Sequence, residues 1–337
     1  MVQVTFKPTK SPINSIQVRH VVVGAAGFIG QAIVRRLLFE GFPVVSVGQP
    51  AHADILKNTG AKVVLSSVEN VDWTSFLCPG DVVHYYAWNS VPGSANNDPA
   101  QDLNTNVAPL IRLLEVLRRM ENPGILLFTS SGGTVYGKLK DVPVSESHAL
   151  APLTAYGAAK ATAEFYLNFY RQLYGVDCRI ARLANPYGLG QNISKGQGAV
   201  SIFIDRIINT KAIHVWGDGE TIRDYLHIDD VVCGLLAIAR ADPVKNSCVF
   251  NLGSGHGLSI NALIFQLSQL TGRKVEVIYD PARKFDVPVS VLDISRAREE
   301  LGWHPQVDLS TGLSRMFGYL SDQNDSNRTT RATKISP

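Results

Sequence analysis

Short apolar runs alternating with longer stretches of helical period mark the first half of the chain. Val18–Val23 is a β-branched run, and Gly30–Glu40 repeats its apolar residues at helical spacing. Val44–Val47, Lys62–Leu65, Asp81–Tyr85 and Ile125–Thr129 are short runs of the kind that build buried strands. Leu103–Met120 and Tyr156–Tyr174 carry apolar positions three and four apart over lengths that suit helices. Strands alternating with helices predict an α/β fold with a Rossmann-type, doubly wound parallel sheet. Beyond about Arg182 the texture changes, and glycine-rich loops (NPYGLGQNISKGQG, WGDGE, NLGSGHG) separate shorter elements. The pattern predicts a dinucleotide-binding domain over residues 18–182 that takes back about 224–253. A smaller C-terminal substrate-binding domain would come from about 183–223 and 254–320. Residues 1–17 and 322–337 are polar and without period, and read as flexible tails.

Composition narrows the function classes. The chain has 337 residues, of which 45% are hydrophobic, enough for one large core or two coupled ones. Charged residues make up 18% and the formal net charge is +3, too mild a balance to point to nucleic acid or a membrane surface. Cys78, Cys178, Cys233 and Cys248 form no CxxC pair or metal-like spacing and read as reduced thiols. No apolar run approaches the ~20 residues of a membrane span, and the first residues have no apolar signal core. A cytoplasmic protein without a metal is expected.

The first chemical signal is the turn from the first strand to the first helix, Val21-Val22-Val23-Gly24-Ala25-Ala26-Gly27-Phe28-Ile29-Gly30. Glycines there let backbone amides at a helix N-terminus approach a pyrophosphate. A tight turn alone would also use glycine, but a strand before it and an amphipathic helix after it favour the cofactor. Gly24, Gly27, Phe28, Ile29 and Gly30 are the candidate contacts. The second strand, however, runs into Gly48-Gln49 where a ribose-binding Asp or Glu is expected. Ser66-Ser67 likewise follows the third strand without a carboxylate. No arginine replaces it, so NAD is the expected cofactor and NADP is not excluded.

The second signal is Tyr156-Gly157-Ala158-Ala159-Lys160, which puts Tyr and Lys on one face of a helix. A free tyrosine has a pKa near 10 and is no base at neutral pH. A lysine ammonium and an oxidised nicotinamide both favour the phenolate. Upstream, Thr129-Ser130-Ser131-Gly132-Gly133-Thr134-Val135-Tyr136-Gly137 leaves a predicted strand and offers hydroxyls to the same site.

GAAGFIG, SSGGTVYG, YGAAK, NPYG and GDGETIRDYLHIDDV occur in the order found in extended short-chain dehydrogenases acting on nucleotide sugars. From about Arg19 to Leu320 the chain resembles this NAD-dependent epimerase/dehydratase family, and most of all its UDP-hexose 4-epimerases. The resemblance implies Tyr156 as the base, Lys160 as its electrostatic partner and ligand of the nicotinamide ribose, and Asn106 as an active-site contact. It also implies a Ser or Thr hydroxyl partner, but the usual position falls on Gly132. Ser131, at the family's typical separation from Tyr156, is preferred, and Thr134 is the alternative.

The same resemblance implies a clamp for the nucleotide. Arg223 and Arg283 would grip the diphosphate, for which a forked guanidinium is suited, and Asp286 the ribose. Trp216 and the backbone at His214 would hold the base, Ala199 and Val200 would line its pocket, and Asn185 would contact the sugar-phosphate. His84 and His227 read as structural. Ser290 falls where the family's gatekeeper faces the sugar C2 substituent, and its small size would admit an N-acetyl group. A UDP-hexose or UDP-N-acetylhexosamine substrate and a homodimer follow as expectations. The family's 4,6-dehydratases carry Thr-Asp-Glu before VYG. Here Gly132-Gly133-Thr134 has no carboxylate, which argues against dehydration. A 4-ketoreductase stays open, and a non-catalytic dinucleotide-binding regulator ranks below both because Tyr156 and Lys160 are present.

Overall fold

The computed structural model describes residues 18–191, 198–242 and 247–333. The expected leader at residues 1–17 and the last four residues of the expected tail lie outside them, as do residues 192–197 of the loop that begins at NPYG.

In chain order the elements are β1 (His20–Val23), α1 (Phe28–Phe39), β2 (Val44–Gly48), α2 (Ala53–Lys57), β3 (Lys62–Leu65), β4 (Val82–Tyr85), α3 (Pro92–Ala95), α4 (Pro99–Leu117), β5 (Ile125–Ser131), α5 (Ala155–Tyr174) and β6 (Asp177–Leu183). There follow β7 (Asn185–Tyr187), α6 (Ala199–Ile208), β8 (Ile213–Trp216), β9 (Ile222–His227), α7 (Ile228–Arg240), β10 (Val249–Leu252), β11 (Gly257–Ser259), α8 (Ile260–Thr271), β12 (Val277–Asp280), β13 (Val289–Ser290), α9 (Ser295–Leu301) and α10 (Leu309–Thr333).

Seven strands form one sheet in the order β10-β6-β5-β4-β1-β2-β3, and every pairing within it is parallel. This is the expected Rossmann-type sheet. Parallel strands are covered on both faces, which is why every position of β1 and β4 is buried. Val22 packs on one side with Ile33, Val34 and Leu37 of α1 and Val231 and Leu235 of α7. Val21 and Val23 pack on the other with Leu110, Leu113 and Leu114 of α4 and Leu167 of α5. A third core gathers Tyr187, Phe203, Ile204, Ile207, Val215, Leu263, Leu267, Leu313 and Met316. The chain reverses its direction of travel between β1 and β4. Ligands of such sheets bind at that switch point, beyond the carboxyl ends of the strands.

Helix boundaries differ from the sequence reading, most at α4 and α10. Helix α4 starts at Pro99, ahead of Leu103, because the Asp98 carboxylate accepts from the Gln101 amide at 2.9 Å and Pro99 fits the first helical position. Helix α10 runs to Thr333, through most of the stretch read as an irregular tail. Its polar composition gave no period to read. Among the described residues no helix is long and apolar enough to cross a membrane.

Candidate active site

A cavity of about 1260 Å³ opens at the switch point. Its floor is the turn after β1. Gly24 has φ of +84°, and a Cβ on it would stand 2.7 Å from the Ala87 amide nitrogen. A Cβ on Gly30 would overlap the Gly24 carbonyl oxygen, so only glycine lets α1 lie this close to β1. Gly27 precedes α1, and no side chain caps the helix. An uncapped helix N-terminus at the mouth of a parallel sheet is a ready anion site. Gly24, Gly27, Phe28, Ile29 and Gly30 all line the cavity.

At the end of β2, where a carboxylate was expected, Gly48 lies under a helix. A Cβ on Gly48 would stand 2.9 Å from Leu56 Cδ1 of α2, which lies across the end of β2. His52 and Ile55 line the cavity instead, and the sequence reading had named neither.

Above the turn stand the acid–base candidates. The Thr154 hydroxyl accepts from the Gly157 amide at 3.0 Å and starts α5 one residue before Tyr156. Tyr156 and Lys160 then face the cavity together. The Lys160 ammonium donates to the Thr129 carbonyl at 2.8 Å and lies 5.7 Å from the Tyr156 ring centre. Burial pushes the Tyr156 phenol up, and the charge of Asp102 adds to it. Burial pulls the Lys160 ammonium down to about 7. The bare site therefore disfavours both charges, and a phenolate needs cations beside it.

Ser131 ends β5, and Ser131 and Thr134 both line the cavity. The glycine between them has a cause: a Cβ on Gly132 would stand 2.6 Å from Leu292 Cδ1, in the core. A side chain at position 132 would have to displace Leu292. The hydroxyls of Ser90, Ser130 and Thr134 and the indole nitrogen of Trp88 are buried on this cavity without partners. Such orphaned donors fit a polar ligand, and with the glycine cradle they suit a dinucleotide.

The nucleotide candidates line the other end. Arg223 of β9 donates to the Ile222 and Val287 carbonyls, both at 2.8 Å, and burial lowers its pKa. Arg283 makes a two-point pair with Asp286 at 2.8 and 3.1 Å and lies 5.4 Å from the Trp216 ring centre. His214 holds Asp280 at 2.9 Å through its ring, leaving its strand backbone beside Trp216. Asn185, Ala199 and Val200 also line this cavity.

Two named residues stand off it. Asn106 is buried, and its amide is fully engaged: its oxygen accepts from the Asn89 amide at 2.7 Å and its nitrogen donates to Asp102. It ties the loop after β4 to α4. Ser290 is 6% exposed and pairs with Arg223 in the β13–β9 ladder. It sits behind Gly133, its hydroxyl 3.9 Å from where a Cβ on that glycine would be.

The two histidines read as structural are buried in hydrogen bonds. His84 contacts His20 at 2.9 Å and Tyr86 at 2.8 Å, and the His227 ring accepts from the Asp229 amide at the start of α7. Trp88 also lines the cavity, and the sequence reading had not named it. Its signal was an aromatic residue in the first loop after β4, at the carboxyl end of the sheet.

The chain is similar over 90% of its length to the UDP-glucose 4-epimerase of Mycolicibacterium smegmatis, at 35% identity and covering 99% of that protein. It is 30% identical to the dTDP-4-dehydro-6-deoxyglucose reductase of Escherichia coli, over 88% of this chain and 96% of that one. The crystal structure of UDP-glucose 4-epimerase with UDP-glucose from Thermotoga maritima superposes with a TM-score of 0.85 at 33% identity, covering 91% of this chain and 100% of the other. Residues 20–253 match the model of the family described as NAD dependent epimerase/dehydratase, and NAD, the expected cofactor, is the one that description names. A glycine cradle at the switch point, a Tyr–Lys pair above it and this match over most of the chain together make it a member of the NAD dependent epimerase/dehydratase family.

Proposed function

We propose that the chain inverts C4 of a UDP-hexose or UDP-N-acetylhexosamine with NAD held throughout the cycle. The observation that carries the reading is a single cavity shared by the glycine turn, Tyr156 and Lys160, and the arginines Arg223 and Arg283. NAD, when bound, supplies the centre that accepts hydride from C4 and gives it back. Phe28 and Ile29 at the start of α1 would hold its pyrophosphate, and Lys160 its nicotinamide ribose. Tyr156 takes the C4 hydroxyl proton and later returns it, with Lys160 favouring the phenolate between the two events. Arg223 and Arg283 hold the diphosphate and Trp216 the base while the sugar turns over. No net oxidation occurs, so the loss of a ribose carboxylate at Gly48 is tolerable: a cofactor that is never exchanged needs little discrimination.

The hydroxyl partner is Ser131. Ser131→Ala should lower turnover more than Thr134→Ala, and steady-state rates of the two variants decide it. The reverse order would give the role to Thr134, whose hydroxyl is the one left buried without a partner.

Ser290 sets the room at C2 through the thin wall of Gly133. Ser290→Tyr should abolish conversion of the N-acetylated pair and spare the plain hexoses, because the added ring would press on Gly133, which lines the cavity. A panel of nucleotide sugars read by chromatography, without added cofactor, tests both the reaction and this specificity. Conversion of UDP-N-acetylglucosamine to its C4 epimer supports the reading; no epimer of any UDP-sugar refutes it. The Escherichia coli relative favours a second reading, a nucleotide-sugar 4-ketoreductase, which would require free cofactor to exchange. A second copy of the chain completes the proposal: Phe165, Phe169 and Leu173, spaced one turn apart along the outside of α5, are 44–64% exposed.

A further inference from the structure

Trp88 has no part in the reaction as described, yet it touches the group on which the reaction depends. It follows β4 in the loop tied down by Asn106. Its ring centre lies 3.7 Å from the Lys160 ammonium nitrogen, and that of Phe128 lies 4.7 Å away. The Tyr156 ring meets the indole edge to face at 6.2 Å. The lysine charge therefore rests on an indole face at the back of the acid–base pair.

Burial outweighs the charged groups around Lys160. On its own helix, Glu164 is the largest attraction on the ammonium, but it is shared with Arg182 of β6 in a buried salt bridge at 2.6 Å, and Tyr156 is neutral without help. From α4, Asp102 contributes attraction from a distance, one of its oxygens already accepting from Asn106. From β5 come the Thr129 carbonyl and the more distant Phe128 ring. A cation in a dry site without a carboxylate against it should lose its proton readily. The quadrupole of an indole opposes this without adding a competing acid, and Trp is the strongest of the aromatic faces.

We propose that Trp88 is the positioning residue for Lys160: its indole face keeps the ammonium charged and seated beside Tyr156. The effect on turnover rests on the epimerase reading; the effect on Lys160 does not. Two variants separate the π face from mere filling. Trp88→Leu keeps the site dry and apolar without a face, and Trp88→Phe keeps a weaker face.

The test follows Lys160 by carbon NMR of the full chain labelled at the lysine ε-carbon, with Lys160→Met identifying its resonance. Removing a desolvated cation–π contact should lower the titration midpoint by about one pH unit in Trp88→Leu, a tenfold change in the ionisation equilibrium. Trp88→Phe should fall between that and wild type. With UDP-sugar, the limb on which kcat/KM is lost as pH rises should move down by the same interval, because the charged lysine is the active form. An unchanged midpoint in folded Trp88→Leu, or equal shifts in Leu and Phe, overturns the proposal. If Trp88→Leu does not fold, Trp88→Phe decides alone, and an unchanged midpoint there is also fatal. A shifted midpoint in a protein that epimerises nothing would uphold Trp88 and remove the epimerase reading instead.

Discussion

Tyr156→Phe should lower turnover by roughly 10²–10⁴-fold, the usual contribution of a positioned acid–base group. The variant keeps the ring that packs edge-on against Trp88 and removes only the hydroxyl on the cavity. Its melting temperature should therefore stay within about 4 °C of wild type, and UDP binding, proposed above for Arg223, Arg283 and Trp216, should be nearly unchanged. Stopped or steady-state assays with a UDP-sugar, set beside a UDP titration, separate the two. Near-normal turnover in folded Tyr156→Phe would mean that another group moves the proton.

The second large effect is at the glycine turn. Gly30→Ala places a methyl group on the Gly24 carbonyl oxygen and 2.8 Å from the Ala25 Cα, so α1 must withdraw from β1. Backbone cannot step aside as a flexible side chain can. The overpacking should cost about 1–3 kcal/mol of stability, and withdrawal of the helix N-terminus from the pyrophosphate should empty the site of cofactor. Gly318→Ala is the control: a Cβ there meets nothing within 4 Å on a helix, and the change should be neutral or stabilising by up to about 1 kcal/mol. Absorbance of cofactor released on denaturation, per protomer, reads the first effect and thermal unfolding the second. Full cofactor content in Gly30→Ala would show that the turn does not carry the pyrophosphate.

The sheet was legible because its strands are local: a β-branched run such as Val21–Val23 announces itself without knowledge of its neighbours. The Tyr156–Lys160 pair was legible for the same reason, being four residues apart on one helix. What the sequence hid depends on contacts between distant segments. Lys160 meets Trp88 only because β4 and β5 are neighbours in the sheet, and nothing near Trp88 in the chain signals a lysine. The glycine at position 132 makes sense only once Leu292 is seen packed against it. Asn106 matched a motif, but motif and contact parted because its amide serves the loop that carries Trp88. Ser290 is similar: one position in an ordered segment located it near the sugar, and the fold sets it one layer back, behind Gly133.

In the proposed cycle hydride leaves C4 and returns to the same carbon on the other face, with no cofactor exchanged. The direct measurement is conversion of a UDP-hexose or UDP-N-acetylhexosamine deuterated at C4, in the absence of added NAD or NADH, with the product read by NMR and mass spectrometry. The expected product is the C4 epimer with its deuterium still on C4. Loss of that deuterium, or product that forms only when reduced cofactor is supplied in stoichiometric amount, would contradict it.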